Sequence, residues 1–338
     1  MILVTGATGL VGSHLLFQLV SKGEHVRALI RDKAKIEHVR KVFSYYSQNS
    51  NQLIEKIEWI TGDVLDVLSL ENAFENIKVV YHCAAVVSFN NSSKRELMQT
   101  NIEGTENMVN LCIEKQVKKL CYVSSIAAIG SSENGDLITE ENKWIPSNDH
   151  SLYSISKFKS EMEVWRGIEE GLNAVIVNPS VILGPGFWNA GSGEIILTVA
   201  KGSSFYTNGI TGFVDVRDVV DVMIQLAESD ITEQRFILNA ENCSYKDLFF
   251  MIAESSGAKK PKYNAGKNLL TIARIADSVF SLLTFRKQRL TKSIVKSSLN
   301  KSKYSNQKIK STLNKEFIPL QETIRFTTEK YNKELKSR

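Results

Sequence analysis

The sequence predicts an α/β fold, a doubly wound parallel sheet with a smaller, mostly helical C-terminal lobe, and three observations carry that reading. Short apolar, β-branched runs alternate with longer segments that are apolar at helical spacing. A glycine-rich turn, VTGATGLVG from Val4 to Gly12, stands between the first run and the first helical segment. The regularity breaks after Val177, where a glycine- and proline-rich excursion begins. Strand–helix alternation covers both faces of a parallel sheet with helices. Such a sheet binds ligands beyond the carboxyl ends of its strands.

In chain order, strands are predicted at 2–4, 25–30, 57–60, 79–82, 120–123, 174–177 and 236–238. GLVGSHLLFQLVSKG, between the first two, is a helix closed by Gly23. Residues 33–55 are polar and predict a helix with a loop around 48–52. NPSVILGPGFWNAGSGE follows the sixth strand, and GFVDVRDVVDVMIQLAES returns to strand, then helix. The expected division is a nucleotide-binding Rossmann domain of residues 1–178 and 213–240, with a substrate-binding lobe of 179–212 and 241–338.

Composition excludes several classes. With 338 residues, 43% of them apolar and 23% charged, the chain reads as an ordinary globular protein able to bury a large core. Cys83, Cys112, Cys121 and Cys243 form no C-x-x-C pair, which argues against a disulfide framework or a zinc site. The start, MILVTG, already reads as a strand and carries no secretory signal, and no apolar run nears the roughly 20 residues that span a bilayer. The expected location is the cytoplasm. From Lys259 onward, 20 basic residues face 5 acidic ones, against a net +5 for the whole chain. A solvated lysine-rich lobe is the favoured reading of that asymmetry, over a nucleic-acid or membrane surface.

Four motifs carry chemistry. In the turn, Gly6, Gly9 and Gly12 permit a tight bend, close approach of a pyrophosphate and close helix–strand packing, while the helix start, with Thr8, Leu10 and Val11, offers N–H groups to phosphates. In YSISK, Tyr153 and Lys157 share one helical face. A neighbouring ammonium favours a phenolate, so the pair suits proton exchange with a carbonyl or hydroxyl oxygen. In YVSSIAAIG, Ser124 and Ser125 end a strand at the carboxyl edge of the sheet. In HCAAVVSF the small Ala84 and Ala85 let a cofactor lie close, and Asn101 follows in MQTNIEGT. His82 ends a buried strand without a partner pattern, and no histidine pair has ligand spacing, so no metal is assigned.

Together, in this order and spacing, the motifs resemble the extended short-chain dehydrogenase/reductase (NAD-dependent epimerase/dehydratase) superfamily, over residues 1 to about 238. GFVDVRDVVD and the basic C-terminal part look most like its dihydroflavonol-reductase-like and 3β-hydroxysteroid-dehydrogenase-like branches. The resemblance implies that Gly6, Gly9 and Gly12 hold the pyrophosphate, Asp63 and Val64 cradle adenine, and Ala84 and Ala85 flank ribose and phosphates. It implies catalytic roles for Ser125 and Tyr153, and for Lys157, which also binds the nicotinamide ribose. Asn101 would steady the active-site helix, Ser124 would join the cofactor site, and Pro179, Ser180 and Ile182 would pack on the nicotinamide amide. The superfamily often forms dimers.

The implied reaction is NAD(P)-dependent reduction of a ketone or aldehyde. Val86, Val87, Phe89, Phe187, Trp188, Phe205, Tyr206 and Phe213 are the candidate pocket, and they suit an apolar or aromatic substrate. Between Gly184 and Phe236 only Arg217 and Arg235 could grip a diphosphate. An epimerase or dehydratase acting on a nucleotide sugar is the alternative, supported by Asn178 before Pro179. A non-catalytic dinucleotide sensor is a third, opposed by the intact Ser125, Tyr153 and Lys157. Arg31 closes the second strand where an acid that binds ribose is usual, which favours NADP over NAD, with Lys35 assisting; Asp32, turned inward, would favour NAD. Last, Leu269, Ile272, Ile275, Ala276, Val279, Phe280 and Leu283 share one helical face. Packing over the substrate pocket is the expectation, against the alternative of a membrane-surface helix.

Overall fold

A computed structural model describes residues 1–88, 93–132, 135–284, 288 and 290–336, with the side chains of 279, 282 and 283 outside that description. The strands are β1 (Ile2–Thr5), β2 (Val26–Ile30), β3 (Glu58–Thr61), β4 (Val79–His82), β5 (Lys119–Val123), β6 (Ala174–Pro179), β7 (Val181–Leu183), β8 (Phe205–Tyr206), β9 (Ile210–Asp215), β10 (Gln234–Leu238), β11 (Glu241–Ser244) and β12 (Tyr263–Asn264). The helices are α1 (Leu10–Ser21), α2 (Ile36–Ser44), α3 (Ser50–Glu55), α4 (Val67–Ala73), α5 (Lys94–Met98), α6 (Gly104–Glu114), α7 (Leu152–Glu169), α8 (Gly193–Ala200), α9 (Val216–Glu228), α10 (Tyr245–Ser256), α11 (Lys267–Thr284), α12 (Lys292–Leu299), α13 (Gln307–Leu313) and α14 (Leu320–Lys336).

The seven strands expected from sequence form one sheet in the order β10-β6-β5-β4-β1-β2-β3, every neighbouring pair parallel. The order in which successive strands are added reverses between β1 and β4, the switch point at which doubly wound sheets bind ligands. β2 (VRALI) and β6 (AVIVNP) are buried at every position, as parallel strands covered on both faces must be. Alternation sends Val4 to the core under α1 and α9, and Leu3 to the opposite core under α4, α6 and α7. Arg27, inside β2, is tolerated because Glu58 and the carbonyls of Ala73 and Glu75 take its guanidinium. After α2 the helix resumes at Ser50, two residues inside the expected loop.

The excursion after β6 does not rejoin this sheet at once. β7 pairs parallel with β9, and β9 pairs antiparallel with β11, making a separate three-stranded sheet. A third core, with Leu183, Ile196, Leu248 and Ile324, joins this sheet to α8, α10 and α14. α14 is fastened to α2 through Glu334, which takes the Tyr45 hydroxyl and Lys41 ammonium and the Trp188 indole N–H at 3.0 Å.

Candidate active site

The cofactor end is built by the first turn. Gly6 has φ +64°, and a Cβ there would lie 2.5 Å from the Cys83 carbonyl carbon, so only glycine lets the β1 turn pass the end of β4. At Gly12 a Cβ would meet the Gly6 carbonyl oxygen at 2.2 Å, so α1 seats directly on the turn. A Cβ on Gly9 meets only the Gly6 oxygen, at 3.3 Å, and is otherwise open. Gly9 is the N-cap of α1 and no side chain caps that end, which leaves the helix start and its dipole facing outward from half-buried Thr8, Leu10 and Val11. Ala84 lies half-buried beyond β4 and Ala85 is exposed. Thr5 fixes this edge, accepting the Ala84 N–H at 3.3 Å and bonding His82 Nδ1 at 2.7 Å. His82 Nε2 meets Thr105, so the histidine is a satisfied core residue, held neutral down to about 3 by burial and by the Lys157 charge.

At the adenosine end, Arg31 follows β2 and lies 3.8 Å from Asp63, both partly exposed. Asp63 also accepts the Leu65 N–H, and Val64 is buried beneath Gly104. Asp32 does not turn inward: its carboxylate caps the following turn at the Ala34 N–H, 2.9 Å away. Lys35 is exposed. At the other end Pro179 and Ser180 are buried, and Ile182 is half-buried. The Ser180 hydroxyl is buried without a protein partner. Open glycine turn, uncapped helix start and orphaned hydroxyl together fit an extended dinucleotide lying across the switch point.

The candidate catalytic residues converge from three elements. Ser125 leaves β5 in extended conformation, and its Oγ accepts the Ala127 N–H at 3.1 Å, capping a short 3₁₀ turn. The Ser154 hydroxyl donates to the Ala127 carbonyl at 2.7 Å, tying the first turn of α7, with half-buried Tyr153, to that same turn. One turn further along α7, Lys157 is 2% exposed and donates to the Tyr122 hydroxyl and the Val123 carbonyl at 2.9 and 2.8 Å. Burial lowers the Lys157 pKa, and the neighbouring Tyr153 and Glu161 work against that. Asn101 sits in a π-helical turn, Gln99–Glu103, and its amide clamps both backbone groups of Val86 and donates to Ser156 of α7.

Glu161 was not foreseen. It is 1% exposed and accepts from Ser124 at 2.5 Å, from Asn178 at 2.7 Å and from Arg235 at 3.1 Å, so one carboxylate joins α7 to β5, β6 and β10. The hydroxyl of Ser124, named above for the cofactor site, is engaged by Glu161. The spacing held the signal, since Glu161 follows Tyr153 and Lys157 by eight and four residues on one helical face.

The candidate pocket residues do not stay together. Val86 is half-buried beside Asn101, and Val87 is exposed. Phe187 is half-buried, edge-on to His38. Phe205 is 48% exposed on β8 against Tyr263 of β12, with Tyr206 half-buried next to it. Trp188 and Phe213 correct the reading from sequence: both pack in the third core, at 7% and 0% exposure, rather than lining an open pocket. Phe89 lies outside the described residues. Among the described residues no three His, Cys, Asp or Glu side chains gather as a metal site, and the four cysteines are free. No helix among them is long and apolar enough to cross a membrane.

Known proteins share this fold. The profile of the NAD dependent epimerase/dehydratase family matches residues 2–239. Among curated proteins, the chain is 30% identical to Sterol demethylase protein B of Methylococcus capsulatus, over 77% of this chain and 76% of that one. It is 29% identical to a putative dihydroflavonol 4-reductase of Synechocystis, over 83% and 80%. Among solved structures, gox2253 superposes with a TM-score of 0.81 at 27% identity, over 99% of this chain and 98% of that one. The NAD complex of UDP-glucose 4-epimerase from Thermus thermophilus, with a TM-score of 0.73 at 19% identity over 98% of each chain, shares the fold. The chain therefore belongs to the NAD-dependent epimerase/dehydratase family, and is an NAD(P)-dependent enzyme of the extended short-chain dehydrogenase/reductase type.

Proposed function

We propose that this enzyme reduces a ketone or aldehyde of an apolar or aromatic small molecule, with NADPH preferred. The observation that carries the reading is the Ser154–Ala127 bond, which draws Tyr153 to the turn capped by Ser125 while Lys157 lies buried one helical turn behind. When bound, the nicotinamide supplies a hydride to the carbonyl carbon. Ser125 keeps its hydroxyl proton for a substrate oxygen, because Ala127 takes only one of its lone pairs. Tyr153 gives its phenolic proton to the oxygen as negative charge develops there. The Lys157 ammonium, in a site of low dielectric, stabilises the phenolate left behind. Asn101 holds the backbone of Val86 and the α7 helix at fixed separation, so the proton donor is oriented before substrate arrives.

An apolar substrate is supported by the half-buried Val86 and Phe187, and by relatives named for sterol and dihydroflavonol chemistry. The Asn178 that supports the nucleotide-sugar alternative is buried, and its amide N–H groups go to Glu161 and the Ser125 carbonyl. NADP is favoured by Arg31, a charged donor on the adenosine side, and by the diversion of Asp32 into a cap.

The test is cofactor turnover against a panel of aryl and alkyl ketones. Reduced cofactor should be consumed in proportion to alcohol formed, and Tyr153→Phe should lower turnover by about 10²–10⁴-fold. Interconversion of sugar nucleotides without net cofactor use would replace the reading with an epimerase. In the same assay Arg31→Asp should shift preference toward NADH.

A further inference from the structure

We propose that α11 is an interfacial helix that docks this enzyme on an anionic lipid bilayer, lying in the plane of the membrane surface. The sequence predicted that the apolar face of this segment packs inward, and the structure reverses it. Leu270, at 9% exposure, and half-buried Arg274, Asp277 and Ser281 form the side turned to the protein. That polar side is used: Asp277 accepts the Leu290 N–H at 2.8 Å, and the Arg274 carbonyl accepts from Gln288. The opposite side carries Leu269, Ile272 and Ile275, exposed at 43, 65 and 53%, and Phe280 at 55% continues the row. Val279 and Leu283, on the same predicted face, lie outside the described side chains.

Three large aliphatic groups turned to water on one helix form a surface that must be covered to be favourable. Charge selects the cover. Between residues 259 and 300 the sequence has ten basic residues and one acidic, Asp277. Lys259, Lys260 and Lys262, just before α11, line an open cleft with Lys201, Ser203 and Ser204 from the end of α8. Tyr263 lines the same cleft, 60% exposed, and its ring meets that of exposed Phe205. An apolar row preceded in the chain by lysines and an exposed tyrosine is what an anionic headgroup region accommodates. A second copy of this chain would bring like charges together, which opposes a dimer through this face. The helix lies on the surface rather than across it, since it is not apolar enough to span a bilayer.

The experiment is vesicle flotation of the full chain, comparing phosphatidylcholine alone with phosphatidylcholine plus phosphatidylglycerol, at low and at molar salt. Binding is expected only to the phosphatidylglycerol vesicles, and weaker at high salt. Ile272→Asp/Ile275→Asp should reduce it at least about tenfold, with an unchanged melting temperature and unchanged reduction of a water-soluble carbonyl. Lys259→Glu/Lys260→Glu/Lys262→Glu should reduce it as well. No binding to anionic vesicles overturns the proposal, as does binding that survives the aspartate pair. Conversion of a dimer to a monomer by that pair would assign the face to a second copy. A raised KM for the soluble substrate would make α11 a cover for the pocket. Either result replaces the membrane.

Discussion

Helices α7 and α11 have the same length, 18 residues, and break the usual partition of side chains in opposite directions. α7 turns Ser156, Lys157, Ser160 and Glu161 into the protein, a buried stripe at helical spacing made of polar and charged groups. α11 turns Leu269, Ile272 and Ile275 out and keeps Arg274 and Asp277 against the protein. A buried charge costs free energy unless neighbours satisfy it, and an exposed aliphatic row forgoes the burial that stabilises most helices. The first inversion is compensated inside the molecule, by Tyr122, Val123, Ser124, Asn178 and Arg235. In the second, the polar side is met by Leu290 and Gln288, but the aliphatic row stays more than two-fifths exposed. The pair therefore separates a helix whose irregularity is explained by chemistry within the fold from one whose irregularity points outside it.

The comparison breaks most readily at Glu161. Glu161→Ala leaves the Arg235 guanidinium beside an empty, buried site, unpairs Ser124 and removes one of the two acceptors of the Asn178 amide, so unfolding free energy should fall by about 3–5 kcal/mol. Glu161→Gln, which keeps part of the hydrogen bonding, should cost less. Chemical denaturation of the two variants checks both. If alanine costs under about 1 kcal/mol, the buried stripe of α7 is not held by this carboxylate.

Sequence reading carried far on α7 and poorly on α11, for a physical reason. All seven strands of the main sheet were legible because parallel strands covered on both faces must be continuous apolar runs, and the glycine turn because its backbone tolerates no side chain. Tyr153 and Lys157 were legible as a spacing on one helical face. Glu161 stood on that face too, but a glutamate on a helix reads as solvated until β5, β6 and β10 are known to meet it. In the sequence Trp188 and Phe213 read as pocket walls because composition cannot tell an aromatic that lines a cavity from one that fills a core. On α11 the spacing was right and the orientation wrong. Periodicity fixes which residues share a face, and only tertiary contacts decide whether that face looks inward.

A second, smaller effect tests the α7 side through pH. His82 lies near Lys157, and its pKa is lowered from 6.5 to about 3 by burial, with the ammonium adding to the shift. The folded protein then binds fewer protons than the unfolded chain below 6.5, so stability is full above that value and declines as pH falls toward 3. The slope from this group is about 1.4 kcal/mol per pH unit. His82→Gln should flatten the decline between pH 6 and 5 by roughly that amount, measured by denaturant unfolding at each pH. An unchanged slope would mean that this histidine is not kept neutral in the fold.

The smallest effect belongs to α11, and its smallness is the point. Isoleucine and serine have similar helix propensities, so Ile272→Ser/Ile275→Ser alters the apolar row while leaving the helix itself nearly as favourable. With both side chains more than half exposed and the packed side of the helix elsewhere, unfolding free energy should change by no more than about 0.5 kcal/mol per site. Thermal and denaturant melts of the double variant check this. A loss of several kcal/mol would show that the row is covered by the protein itself, and the contrast with α7 would disappear. A null result keeps it: the same two residues would then carry almost none of the fold's stability while standing in the exposed apolar row that α11 presents to a partner.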